Sequence, residues 1–216
     1  ALQCVFIVAL IFVLGLSAHA QAIHPVKLPQ PPDAPERLLA IIEIPKDSQV
    51  KYEIDPQHGG LMVDRFLPDT HRYPSNYGGL PSIWAADGDL LDVLVLSPMP
   101  LVPGALIEVR VVGLAKMLDG GEQDHKILVR PIGLDSSETI DLDSTGGLSA
   151  EQMSAIESFF KSYKASPDHD NPIQWLGFGS SAEAKALIQE LLQTKPSAEA
   201  QELATAPGQP IHQFTH

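Results

Sequence analysis

The sequence predicts a mainly β fold of the α+β class, a small barrel or sandwich of short strands completed by two C-terminal helices. Short apolar or alternating runs recur at close spacing through the first two-thirds of the chain, separated by turns rich in Gly, Pro and Asp. Beyond residue 148 the period changes to that of a helix, twice, each time after a serine cap. One acidic stretch, Ala86-Asp87-Gly88-Asp89-Leu90-Leu91-Asp92, runs straight into Val93-Leu94-Val95-Leu96, which sets a carboxylate-bearing turn on a buried strand.

In chain order, the first twenty residues carry no charged side chain, and Val5 to Leu16 is unbroken apolar sequence with one Gly. It ends in Ser17-Ala18-His19-Ala20, the small-residue pattern of a secretory cleavage site, so residues 1–20 are expected to be a signal peptide and Gln21 the mature N-terminus. An uncleaved membrane anchor is the competing reading, disfavoured because a span needs about 20 apolar residues. Residues 21–37 hold Pro25, Pro29, Pro31, Pro32 and Pro35 and read as an extended linker. A single domain is then expected over 38–194, with 195–216, rich in Pro, Ala and Gln, as a mobile tail.

Within the domain, 39–44 is an aliphatic strand carrying Glu43, and 50–54 alternates, with Lys51 and Glu53 on one face. The turn Asp55-Pro56-Gln57-His58-Gly59-Gly60 returns the chain as a partner strand over 61–66. Residues 67–86, rich in Pro, Tyr, Asn and Gly, read as a long loop around Tyr73-Pro74-Ser75-Asn76-Tyr77-Gly78-Gly79. Further strands are expected at 91–96, 105–112 and 126–131, with 119–124 as a turn and 173–176 as a possible last strand. Ser149 with Gln152 and Ser180 with Glu183 form capping boxes, each opening an amphipathic helix.

The chain of 216 residues has 14 Lys and Arg against 27 Asp and Glu, a net charge of −13 that repels nucleic acid and anionic membrane. Its one cysteine, Cys4, lies in the expected signal, leaving neither a disulfide nor a thiol nucleophile beyond it. Other chemistry fails on spacing. An EF-hand starting at Asp87 would place Leu91 and Pro98 at its fifth and twelfth positions. Gly177-Phe178-Gly179-Ser180-Ser181-Ala182 has the letters of a dinucleotide loop, but too little chain follows to complete a doubly wound sheet. Asp141-Leu142-Asp143-Ser144-Thr145-Gly146 lacks the acid a calcium loop requires at Gln152. No paired histidines, Walker loop or G-x-S-x-G is present.

What remains is a set of oxygen donors and cations near strand ends: Glu43, Glu53, Asp87, Asp89, Asp92, Asp119 and Asp124 against Lys51, Arg65, Lys126 and Lys164. Crowded carboxylates favour a hard divalent ion such as magnesium, manganese or calcium, and lysines with arginine hold phosphoryl oxygens. The set points to metal-dependent phosphoryl transfer or hydrolysis.

These residues resemble the family I soluble inorganic pyrophosphatases, in ordered blocks across roughly 38–194. The blocks are Ile42-Glu43-Ile44-Pro45, Lys51-Tyr52-Glu53-Ile54-Asp55, Val63-Asp64-Arg65-Phe66, Tyr73-Pro74-Ser75-Asn76-Tyr77-Gly78, Asp87-Gly88-Asp89-Leu90-Leu91-Asp92-Val93, Lys116-Met117 with Asp119 and Asp124-His125-Lys126, and Phe159-Phe160 with Tyr163-Lys164.

The resemblance implies a five-stranded OB-like closed barrel that hydrolyses pyrophosphate with magnesium, manganese being a possible substitute, and that assembles as a homo-oligomer. It implies that Asp87, Asp92 and Asp124 hold a first metal, that Asp92 bridges to a second, and that Asp119 and Asp124 recruit metal arriving with the substrate. Glu43 would act through coordinated water, and a hydroxide shared by two metals would be the nucleophile, with Asp89 accepting the proton that the water loses in forming it. Lys51, Arg65, Tyr77, Lys126, Tyr163 and Lys164 would bind the phosphates, supported by Glu53 and Tyr73.

Two positions depart from the family pattern, Leu90 and Gly120. The signal segment is a third departure. It would put the activity in the periplasm or outside the cell, with no membrane partner after cleavage, whereas a non-functional signal would leave it cytoplasmic. A secreted binding protein that kept the barrel but not turnover is the alternative from another class, and an oligonucleotide-binding barrel is opposed by the charge.

Overall fold

A computed structural model describes residues 24–55, 59–68, 70–133, 147–164 and 173–194. The expected signal, the partial calcium-like loop at 141–146 and the C-terminal tail lie outside these residues. Among them the chain order is β1 (Leu38–Ile44), β2 (Val50–Ile54), β3 (Leu61–Phe66), β4 (Asn76–Trp84), β5 (Leu90–Val95), β6 (Leu106–Asp119), β7 (Glu122–Gln123), β8 (Lys126–Pro131), α1 (Ala150–Ser162), β9 (Gln174–Gly179) and α2 (Ser181–Gln193).

Five strands close on themselves in the order β1-β4-β5-β8-β6, because β6 pairs back onto β1. The β5–β8 pairing is parallel and the other four are antiparallel. Alternation decides the layers. Val93 and Val95 of β5, Val109 and Val111 of β6, and Ile127 and Val129 of β8 point into the barrel, which Ala184 and Ile188 of α2 help to fill. Leu94, Val112 and Leu128 point out and are covered by Ile156, Phe159 and Phe160 of α1. Both helices start at the expected capping boxes, Ser149 with Gln152 and Ser180 with Glu183.

Three elements differ from the expectation. Residues 67–86 are not one loop, since Asn76–Trp84 forms β4 between β1 and β5. Its Gly78-Gly79 and Pro81 look like turn residues, yet the strand needs the first glycine: a Cβ at Gly78 would lie 1.8 Å from the carbonyl oxygen of Ile41. The strand expected to stop at Val112 continues to Asp119, through a register shift between Val111 and Gly113, and then bonds β7, β8 and β9. Residues 24–37, expected as an extended linker, lie on the barrel. Val26 in a 3-10 turn is buried against Ile41 and Ile54. The Gln30 amide imitates a strand peptide, accepting from Leu39 N–H at 2.8 Å and donating to the carbonyls of Leu39 and Pro81 at 3.0 and 2.8 Å.

β2 and β3 form a separate two-stranded ribbon beside β1. No helix among the described residues is long and apolar enough to cross a membrane.

Candidate active site

A cavity of about 290 Å³ opens between one end of the barrel and the β2–β3 ribbon. Each wall follows from a local feature of the chain. The register shift between Ile42 and Ile44 turns Glu43 toward the ribbon, where its Oε1 accepts from Ile54 N–H at 3.2 Å. The turn before β5 is fixed by Asp87 Oδ1 accepting from Asp89 N–H at 3.0 Å and by Gly88 at φ 92°. Asp92 stands in β5 opposite Gly79 of β4. The hairpin from β6 to β7 turns through Gly120 and Gly121, both at positive φ, and sets Asp119 and Asp124 on either side.

Of the fourteen residues expected at the site, the cavity brings together twelve. Its acids are Glu43, Glu53, Asp87, Asp89, Asp92, Asp119 and Asp124, and facing them are Lys51, Tyr77, Lys126, Tyr163 and Lys164. Arg65 and Tyr73 stand just behind. Arg65 bonds Asp64 at 3.0 Å and lies 5.9 Å over the Tyr163 ring, while Tyr73 packs edge-on to Tyr77 at 5.5 Å. The sequence reading passed over Asp64, which also pairs with Lys51 at 2.8 Å, and Glu122 and Val26, which line the cavity. Asp64 sits inside a recognised block, so its signal was present. The packing of Val26 had none.

Part of the negative charge in the cavity is offset by direct pairs. The Lys126 ammonium donates to both Asp92 and Asp124, Lys164 to Asp119, and Lys51 to Glu53 as well as Asp64. Burial opposes the charge on Lys126, but Asp92 and Asp124 outweigh it and hold the amine above its usual range. Glu43 is pushed up to about 8, first by burial and then by the Asp92 charge. Asp89 opens to the cavity mouth yet is also raised, by partial burial and then by Asp87 and Asp92. Burial raises Tyr77 and Tyr163, so both are neutral O–H donors at pH 7.

No three acidic or histidine side chains among the described residues already enclose a single point, because lysine ammoniums lie against Asp92, Asp119 and Asp124. The donor chemistry nonetheless fits a hard divalent ion. Every candidate ligand in the cavity is a carboxylate, and neither histidine nor cysteine lines it.

A closed five-stranded barrel with carboxylates, lysines and neutral tyrosines converging on one cavity defines a class: an OB-like hydrolase acting on a small polyanion. Residues 40–195 match the family model described as inorganic pyrophosphatase. The chain is 41% identical over 157 residues to the inorganic pyrophosphatase of Xanthomonas axonopodis pv. citri, covering 72% of this chain and 88% of that one. Among solved structures it is similar to the inorganic pyrophosphatase of Coxiella burnetii, with TM-score 0.67, 39% identity, and coverage of 73% of this chain and 94% of that chain. The Helicobacter pylori inorganic pyrophosphatase gives TM-score 0.71 and 34% identity, with coverage of 77% and 97%. The chain belongs to the inorganic pyrophosphatase family and is an enzyme of the inorganic diphosphatase class.

Proposed function

We propose that this protein hydrolyses inorganic pyrophosphate to two phosphates with the help of divalent metal, magnesium by preference and manganese as a substitute. The observation that carries the reading is the convergence of six carboxylates, Glu43, Asp87, Asp89, Asp92, Asp119 and Asp124, with Lys51, Lys126 and Lys164 on one cavity. Asp87, Asp92 and Asp124 would hold a first ion, Asp92 would bridge to a second, Asp119 and Asp124 would receive metal arriving with the substrate, and Glu43 would act through water. Ions held there would neutralise the phosphates and supply a more acidic water for attack on phosphorus.

The chain's own groups do the rest. Asp89, whose carboxylate binds a proton more readily than usual, accepts the proton of that water. Lys51, Lys126 and Lys164 exchange their carboxylate contacts for phosphate oxygens, and the neutral hydroxyls of Tyr77 and Tyr163 donate to those oxygens without adding charge. Arg65, fixed by Asp64 beside Tyr163, reaches the outer phosphate from the ribbon. Glu53 holds Lys51, and Tyr73 supports the Tyr77 ring. The P–O–P bond breaks and both phosphates leave, the water having supplied one oxygen.

The apolar segment ending at Ala20 supports export to the periplasm or the medium, and family membership supports a homo-oligomer. Phosphate release from pyrophosphate tests the catalytic reading. Rapid release with magnesium, abolished by EDTA and reduced roughly 100-fold or more in Asp92→Asn, is expected. A folded protein that releases no phosphate with any divalent metal overturns it in favour of a binding protein. Recovery of a mature chain beginning at Gln21 outside the cytoplasm tests export.

A further inference from the structure

A second cavity, of about 420 Å³, lies beneath the N-terminal turn of α1, at the opposite end of β5 and β8 from the active site. Lys46 follows Glu43, Ser75 precedes Tyr77, Leu96 follows Asp92 and Arg130 follows Lys126, so four chain segments connect the two cavities. Among the described residues neither Lys46 nor Arg130 forms an ion pair, in a chain whose net charge is −13.

Arg130 is only 8% exposed, and its Nε is buried without a hydrogen-bond partner, while Nη2 donates to the neutral carbonyl of Gly147 at 3.0 Å. Directly across the β6–β8 ladder stands Arg110, whose Nε is likewise buried and unpartnered. Like charges opposite each other on a sheet destabilise it, and a buried guanidinium without an acceptor is costly. The hydroxyls of Ser75 and Ser97 already donate to the carbonyls of Val95 and Met99, leaving the cations as the strong free donors; the one carboxylate, Glu151, is exposed at the rim. An anion seated here would satisfy a guanidinium and an ammonium together, next to the partial positive charge of the α1 N-terminus.

We propose that this cavity binds a phosphate-type oxyanion at a site separate from the catalytic one, with Arg130 and Lys46 as its direct ligands and Arg110 reinforcing the local positive potential. The ligand chemistry is a tetrahedral dianion, either free phosphate or the phosphate of a small monoester.

The test is calorimetric titration of the magnesium-loaded full chain while a saturating methylene diphosphonate fills the catalytic cavity. Inorganic phosphate and glycerol phosphate are the two probes. One phosphate per chain is expected to bind under these conditions, and both Arg130→Met and Lys46→Met are expected to weaken it roughly tenfold or more, the effect of losing a charge-assisted bond. Hydrolysis of pyrophosphate by both variants stays within about twofold of the parent. Lys46→Met guards the experiment against misfolding, since Lys46 is only half-buried and deletes no core contact. Binding of inorganic phosphate alone assigns the site to the free ion, and equal binding of glycerol phosphate assigns it to monoesters. Absence of binding by both probes at ~10 mM in the parent chain, or binding unchanged in both variants, overturns the proposal.

Discussion

The two cavities lie at opposite ends of β5 and β8 and handle positive charge in opposite ways. At the catalytic end each lysine faces a carboxylate, and Lys51 and Lys126 each face two. At the far end Lys46 and Arg130 form no ion pair among the described residues, the one carboxylate there, Glu151, being exposed at the rim. The first arrangement stores affinity for a polyanion behind exchangeable pairs, and the second leaves it open. A pairing that must be exchanged can discriminate between ligands, because a new partner has to outcompete the old one. An unpaired cation has no such filter.

Substitutions can separate the two ends. The largest effect is expected from Gly78→Ala, which strikes the strand joining them: the new Cβ meets a backbone oxygen that no side-chain motion relieves. Loss of about 3 kcal/mol or more is expected in urea unfolding, with both cavities lost together. Next comes the contrast between Lys126→Met and Arg130→Met. Removing Lys126 leaves Asp92 and Asp124 uncompensated and is expected to cost about 3 kcal/mol in EDTA, much of it regained on adding magnesium. Removing Arg130 leaves no stranded carboxylate, so stability in the same urea series stays within about 1 kcal/mol of the parent.

The pH response is a smaller effect. The Glu43 carboxyl titrates near 8 in the folded chain against an ordinary value of 4.5, so between these values the folded state keeps a proton that the unfolded state has lost. Its contribution to stability is complete below about 4.5 and is lost as pH rises through about 8. Urea midpoints of the EDTA-treated protein should fall over that range, and Glu43→Gln should flatten the decline. The smallest effect is expected at Ser149, which caps α1 over the second cavity. Ser149→Ala is expected to cost about 1 kcal/mol and to weaken phosphate binding at the far end while leaving pyrophosphate hydrolysis intact.

The same contrast separates what was legible in the sequence from what was not. The catalytic acids lie in short local blocks, and Asp87, Asp89 and Asp92 announce a carboxylate cluster before any fold is known. β2, β3 and β8 have the expected limits because their runs are apolar or alternating and end in turn residues, and both helices begin at their capping boxes. β4 was hidden because Gly78-Gly79 and Pro81 carry the composition of a turn, although close strand contact is what demands the first of these glycines. Val26 and Gln30 gave no signal, since Ile54 on β2 and Pro81 on β4, against which they pack or bond, are far along the chain. Arg110 and Arg130 meet only through the register of β6 on β8, which no local pattern encodes.

The closure of the barrel also orders events in time. β1 bonds β4 on one side and β6 on the other, and β5 waits for β8, so the ring cannot form until the chain through Pro131 is available. Contacts between segments so distant in sequence form slowly, because the entropy of closing the intervening loops is lost before the pairing rewards it. Glu43 of β1 and Asp124, which precedes β8, line one cavity only once that ring is closed, so closure gathers the acids and a divalent ion that binds them is expected to slow its reversal.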